Sequence, residues 1–177
     1  MHVYTLDCEM TTAKSIEYTF ALFENPYNLA KITPPELGFQ VVSEERVEMR
    51  RFAEIEYRIK WLGLPMHWKT IITEYEPPFM FEDEQAKGPY SLWRHRHTFV
   101  PADGGTKVGD HVDYVLPLGP LGRMAHALLV GEQLKKIFTY RQKQLAKLLG
   151  GGTVRTVEPV IRVVGQEAES GRQHQQR

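Results

Sequence analysis

A two-residue alternation of apolar and polar side chains runs from Glu36 to Leu118 and constrains the fold more than any other feature of the sequence. This period is typical of β-strands with one buried and one solvated face. Turn-forming residues interrupt the alternation at 43–45, 63–65, 77–78, 87–89 and 103–105. Short turns between strands favour hairpins, so we expect six strands, most of them antiparallel to their neighbours.

The residues before this region predict one more strand and two short helices. Residues 3–11 show the same alternation and predict the strand. A helix follows, in which Phe20 and Phe23 recur at helical spacing before Asn25-Pro26 ends it. A second short helix is predicted over Tyr27–Ile32.

The strongest helical signal spans Pro120–Leu149 and ends at three glycines. One apolar stripe, expected to lie on the sheet, consists of Ala127, Val130, Leu134, Ile137, Phe138, Arg141, Leu145 and Leu148. The first half of the helix has a second apolar face, formed by Leu121, Met124, Ala125 and Leu128. This second face needs a cover, which is either the helix pair at 12–32 or a ligand, a partner or a lipid surface.

These elements predict an α+β domain in which a curved, seven-stranded antiparallel sheet surrounds a long C-terminal helix, with two short helices after strand 1. Such a sheet encloses more volume than one helix fills, so a pocket remains unless large side chains close it. We assign this domain to residues 1–150 and interpret residues 151–177 as a linker and largely disordered tail. The valines between Val154 and Val163 leave open that this segment docks, on this chain or on a neighbour.

Composition and charge exclude several classes of function. The 177 residues suffice for one domain with a substantial core. The 22 basic residues balance 22 acidic ones, so nucleic acid is a poor partner. No apolar run is long enough for a membrane span and no signal peptide is evident, so we expect a cytoplasmic protein without an integral membrane segment. Cys8 is the single cysteine, which excludes an intramolecular disulfide and a zinc knuckle. We interpret Cys8 as a small apolar side chain that fills space in the core.

Strand parity places most of the aromatic side chains on the concave face of the sheet. They are Tyr57, Trp61, Trp68, Phe79, Phe81, Trp93, Phe99 and Tyr114. These residues form either an apolar ligand site or an ordinary core. Leu121, Met124 and Leu128 are the expected gate residues, because the start of the long helix lies where a cavity of this kind would open.

Polar candidates lie on the same inner face. His95 and His97 share one strand, and Asp83 and Asp110 share their interior if strand parity holds. Such groups can bind a metal, move a proton or orient a ligand, but we predict no metal and no cofactor. Catalytic candidates are His95, His97, Tyr57 and Tyr114. Arg141 needs a partner, which is either a structural salt bridge to Asp83 or Asp110 or a ligand carboxylate.

The sequence resembles a family over residues 1 to about 149. The resemblance rests on Phe81-Glu82-Asp83-Glu84-Gln85, Gly88-Pro89-Tyr90, Trp93, His95, His97, Phe99, Gly104-Gly105-Thr106, Asp110, Val112, Tyr114, Pro117, Gly119 and Ile137-Phe138-Tyr140-Arg141. It is similar to bacterial members of the START-like helix-grip superfamily (SRPBCC), in the polyketide cyclase/dehydrase and lipid-transport branch. The resemblance implies an apolar cavity between sheet and long helix. Similar domains occur joined to an NAD-dependent epimerase-like domain, whose dinucleotide fingerprint this chain lacks.

Three functional hypotheses follow. The first is a noncatalytic protein that binds a hydrophobic small molecule, such as a lipid, an isoprenoid or a polyketide-like compound. The second is a cyclase or dehydratase in which a cavity histidine transfers a proton while a tyrosine orients a carbonyl. The third is a protein-interaction module, with a homodimer among its possible forms, that uses the apolar helix face and the valine-rich tail.

Overall fold

The computed structural model describes residues 2–43, 47–61, 63–150 and 155–164. Its sheet has eight antiparallel strands in the order β2-β3-β4-β5-β6-β7-β1-β8. The strands are β1 (Val3–Thr12), β2 (Gln40–Val41), β3 (Glu54–Trp61), β4 (Leu64–Glu76), β5 (Met80–Lys87), β6 (Leu92–Ala102), β7 (Gly105–Val115) and β8 (Arg155–Val164). The six strands predicted between Glu36 and Leu118 are therefore present as β2–β7.

Short turns and strict alternation explain the central part of the sheet. In β6 and β7 alternate side chains are buried, so the predicted parity is observed there. The turn between these strands contains Gly104, whose φ of +76° is the left-handed conformation that glycine adopts without strain. β1 pairs with β7, with Cys8 opposite Asp110, and so joins the start of the chain to the end of the meander.

Two short helices follow β1, as predicted. In α1 (Ile16–Glu24) the Ser15 side chain caps the first turn by accepting a hydrogen bond from the Tyr18 amide. α2 (Leu29–Ile32) lies between two 3-10 turns, Pro26–Asn28 and Pro35–Leu37. The chain then leads into β2 at the edge of the sheet.

The long C-terminal helix consists of three segments that together span 30 residues: α3 (Gly119–Ala125), a π-helical segment (His126–Val130) and α4 (Gly131–Leu148). Four residues of the predicted apolar stripe are buried: Val130, Leu134, Phe138 and Leu145. Gln142 is buried, whereas Ala127 and Leu148 of that stripe are exposed. Among the described residues, no helix combines the length and hydropathy needed to cross a membrane.

The helix pair, one of the covers considered for the second apolar face, packs on a different part of the long helix. Phe20 and Phe23 of α1 share a core cluster with Leu145 of α4 and Phe99 of β6. The N-terminal half of the long helix has no such cover within the described parts of the chain. Leu121, Met124 and Leu128 of its second apolar face are exposed, and so are the neighbouring Leu118 and Leu129.

The prediction of seven strands is wrong because residues 155–164, interpreted as linker, form β8 beside β1. Pro159 lies at a register shift in this pair, between the Asp7–Val160 and Glu9–Val157 partners, and a bulge is where a sheet tolerates proline. The Gln142 side-chain amide donates to the Glu9 and Val157 carbonyl oxygens, which ties β8 to α4. Residues 155–164 thus dock on their own chain, which is one of the two arrangements that the valines left open. Residues 151–154 and 165–177 of the predicted tail lie outside the described residues.

Candidate functional site

A cavity of about 180 Å³ lies between the concave face of the sheet and α4. Strands β3–β6 line one wall, α4 lines the opposite wall, and α1, α2 and the following turn close one side. Asn25, Asn28 and Thr33 line the cavity and are partly or fully exposed, so it opens beside α2.

The sheet side of the cavity is an aromatic wall. Tyr57 and Trp68 stack with ring centroids 5.9 Å apart, Trp68 and Trp93 meet edge to face at 5.5 Å, and Tyr90 lies 4.7 Å from Trp93. Such contacts hold large rigid side chains in fixed positions. Trp68 Nε1 and Tyr90 Oη are buried and have no hydrogen-bond partner among the described residues, which leaves polar atoms within an otherwise apolar wall.

A polar cluster forms the adjoining part of the cavity. Strand register places Asp83 opposite His95 and Asp110 opposite His97. Asp110 Oδ1 lies 3.0 Å from His95 Nε2 and 2.8 Å from His97 Nδ1, although the second contact lacks the angle of a hydrogen bond. Asp83 accepts a hydrogen bond from the Thr70 hydroxyl at 3.0 Å and lies 3.9 Å from His95 Nδ1.

The surroundings of the cluster fix several charge states. Burial opposes ionisation of Asp110, but the charge of Arg141 and the hydrogen bond from His95 outweigh it and hold the pKa of Asp110 well below its usual value. Burial, together with the charge of His95, lowers the pKa of His97 to about 3. Burial raises the pKa of Asp83. His97 is therefore a neutral imidazole and a weak base near neutral pH.

Asp83, His95 and His97 are the described residues best placed to hold a metal ion. Each offers one ligand atom, and these atoms lie within 4.8 Å of one another. Two imidazoles and a carboxylate suit a divalent transition metal. However, Arg141 acts electrostatically on both Asp83 and Asp110, and this positive charge opposes a further cation. The absence of a bound metal stays a prediction.

Arg141 does not form the salt bridge that we expected. It lines the cavity from α4, but no carboxylate of the described residues lies within the 4.0 Å of an ion pair. Its Nε is buried without a hydrogen-bond partner. The guanidinium carbon instead lies 5.8 Å from the centre of the Phe23 ring and 5.9 Å from that of Phe138. Cation–π contacts replace the predicted ion pair.

Nine of the sixteen predicted ligand-binding residues line the cavity. They are Tyr57, Trp61, Trp68, Phe81, Asp83, Trp93, His95, His97 and Arg141. The sheet brings most of them together because they occupy alternate positions on neighbouring strands. Their contact with a ligand stays a prediction.

The other seven lie elsewhere: Phe79, Phe99, Asp110, Tyr114, Leu121, Met124 and Leu128. Phe79 is 55% exposed because it belongs to the β4–β5 turn, where strand parity no longer applies. Phe99 packs under α1, and Asp110 lies behind the two histidines. The expected gate at Leu121, Met124 and Leu128 is absent from the cavity lining, since the cavity opens beside α2.

Tyr114 forms a separate contact with the π-helical segment. Its hydroxyl lies 2.7 Å from His126 Nε2, and the His126 ring stacks on Tyr4 with centroids 3.7 Å apart. Burial raises the pKa of Tyr114 and lowers that of His126. Tyr114 thus joins β7 to the long helix and is not among the residues that line the cavity.

Sequence reasoning missed the cavity residues that come from outside the central strands. Phe23, Ile32 and Leu37 line the side formed by the short helices and the turn after them. The helical spacing of Phe23 with Phe20 indicated a buried helix face, but not that this face would border the cavity. Leu134 and Phe138 were assigned to the inward stripe of the long helix, and the same pattern could have placed them in the lining.

Comparison with known structures shows the same fold. Protein Ms6760 from Mycobacterium smegmatis has a TM-score of 0.61 at 18% identity, covering 83% of this chain and 91% of that one. Ara h 8.0201 has a TM-score of 0.53 at 14% identity, covering 82% and 99%. A nucleoside-diphosphate sugar epimerase from Corynebacterium glutamicum has a TM-score of 0.58 at 21% identity, and the match covers 80% of this chain but 28% of that longer one. No curated protein sequence matches this chain.

The curved antiparallel sheet around one long helix defines a helix-grip protein of the SRPBCC type. The family model for polyketide cyclase/dehydrase and lipid transport proteins matches residues 13–138. The chain belongs to this family, and the predicted resemblance is confirmed.

Proposed function

We propose that the protein binds a hydrophobic small molecule in the cavity between the sheet and α4. The observation that carries this proposal is an interior space lined mainly by aromatic and aliphatic side chains from the sheet and three helices. The family, whose description includes lipid transport, supports the same role. A ligand that buries roughly 300 Å² of apolar area gains on the order of 8 kcal/mol before the cost of association is subtracted. A free energy of about 8 kcal/mol corresponds to micromolar binding, so we expect apolar burial alone to give binding no tighter than micromolar.

Binding accounts for the cavity better than catalysis does. His97 has a pKa of about 3 and is a weak base. Tyr114, a candidate for orienting a carbonyl, is engaged with His126 outside the cavity. Of the cavity groups proposed for acid–base chemistry, this leaves His95 and Tyr57, and burial raises the pKa of Tyr57 well above its usual value.

Filling the cavity tests the proposal. Ile137 lines the cavity, and we expect Ile137→Trp to weaken binding of the neutral fluorescent probe 2-naphthol by about tenfold or more, because the larger ring occupies the site. Lys136 is exposed on the neighbouring position of α4, so Lys136→Trp is the matched control and should bind as the wild type does. Fluorescence titration measures both, and thermal melts verify that each variant is folded. Unchanged binding in Ile137→Trp, or none in the wild type, contradicts the proposal.

A further inference from the structure

Arg141 is a charged group that the fold places in an apolar cavity without using it in an ion pair. The ring centres of Phe23 and Phe138 lie 5.8 and 5.9 Å from its guanidinium carbon. Its Nε is buried and makes no hydrogen bond within the described parts of the chain. Burying a guanidinium without an acceptor costs free energy, and its forked donors match the two oxygens of a carboxylate.

The two carboxylates that feel the charge of Arg141, Asp83 and Asp110, have other partners. Asp110 is hydrogen-bonded to His95 at 3.0 Å and lies 2.8 Å from His97 Nδ1, and Asp83 accepts a hydrogen bond from the Thr70 hydroxyl. Arg141 acts on both carboxylates only through space, since neither lies within 4.0 Å of it. The donors of Arg141 therefore remain available to a molecule inside the cavity.

The size of the cavity limits the molecule that can meet these donors. An apolar cavity of roughly 150 Å³ holds benzene, so about 180 Å³ suits one or two rings rather than a long alkyl chain. The aromatic wall formed by Tyr57, Trp68 and Trp93 offers flat apolar surfaces to such rings.

From these observations we infer that the ligand is a compact cyclic acid, with its rings against the aromatic wall and its carboxylate paired with Arg141. This inference rests on the proposed binding function and adds the chemical class of the ligand. Arg141 is then a specificity-determining residue: it selects an acid over a neutral molecule of the same shape.

Two probes of nearly equal shape test whether Arg141 selects an acid over a neutral molecule. 2-Naphthoate and 2-naphthamide differ mainly in the charge of one group, and calorimetric titration at neutral pH gives both dissociation constants. We expect the wild type to bind 2-naphthoate more tightly by about tenfold or more. Arg141→Met keeps a straight side chain but removes the charge and the donors, so it should weaken binding of 2-naphthoate more than that of 2-naphthamide and reduce the preference to about twofold or less.

Two further variants control for folding and for general charge. Arg141→Lys keeps the positive charge but loses the paired guanidinium donors, so it should retain part of the preference for 2-naphthoate. This variant replaces Arg141→Met in the test if Arg141→Met does not fold. Lys143→Met removes an exposed charge from the same helix and should change neither constant. Equal binding of the two probes by the wild type, or a preference that survives in Arg141→Met, overturns the inference while leaving the binding function in place. Binding of neither these probes nor 2-naphthol overturns both.

Discussion

The imidazole of His97 is buried between the rings of Phe23 and Phe81 and the carboxylate of Asp110. Its pKa falls from 6.5 to about 3 in the folded protein. Between these values the unfolded chain binds a proton that the folded protein does not, so acidification favours unfolding by up to about 1.4 kcal/mol per pH unit. Asp83 acts in the opposite direction, because burial raises its pKa above 3.8 and the folded protein gains that proton first.

We therefore predict that the free energy of unfolding decreases as the pH falls from about 6.5 to about 4.5. His97→Gln removes the titrating group and should flatten this dependence by up to about 1.4 kcal/mol per pH unit. Urea unfolding at a series of pH values measures both slopes. Equal slopes for the variant and the wild type would show that His97 does not carry the effect.

Residue-level patterns in the sequence predicted contacts between neighbouring strands well. Alternation placed His95 and His97 on the inner face of β6, where both are buried. Arg96 lies between them on the other face and pairs with Glu82 at 2.7 Å. It did not predict that Arg141 lacks an ion pair. Which acceptor a long side chain meets depends on distances between a helix and a sheet, and local periodicity carries no information about these distances.

At the scale of elements, the main difference between the predicted and observed long helix is that its second apolar face has no cover among the described residues. Val130 is buried, whereas Leu128 is 69% exposed and Leu129 is 57% exposed. An apolar pattern predicts that a face is buried somewhere, but it does not specify which element covers it. The helix pair packs on the other half of the long helix, where Phe20 and Phe23 meet Leu145.

This arrangement predicts different costs for two neighbouring truncations. Val130→Ala leaves a hole in the core and should reduce the free energy of unfolding by about 2 kcal/mol. Leu128→Ala removes an exposed side chain and should change it by less than about 0.5 kcal/mol. Chemical denaturation of both variants provides the comparison. A cost for Leu128→Ala as large as that for Val130→Ala would mean that this face is covered in solution.

β8 shows why the end of the chain was harder to predict than its centre. This segment shows β-like alternation around Pro159, but proline is uncommon within strands. The bulge beside Asp7 and Glu9 accommodates it, and this bulge depends on a partner strand more than 140 residues earlier. Homodimer formation through this edge or the exposed helix face, and a cytoplasmic location, stay predictions.

For the whole molecule, the arrangement of sheet and helix determines the cavity. Eight strands curve around one helix, and α1 and α2 close one side of the space between them. The order of elements was enough to predict this fold and an apolar interior. The position of the opening was not predictable, because it depends on where the short helices pack after β1.

Crystallography of the protein under xenon pressure tests most directly whether this apolar space exists, since xenon binds in apolar cavities of this size. We predict strong xenon density between Trp68, Trp93 and Phe138, without displacement of the surrounding strands. Absence of xenon there, with these side chains packed against one another across the gap, would contradict a ligand-binding cavity.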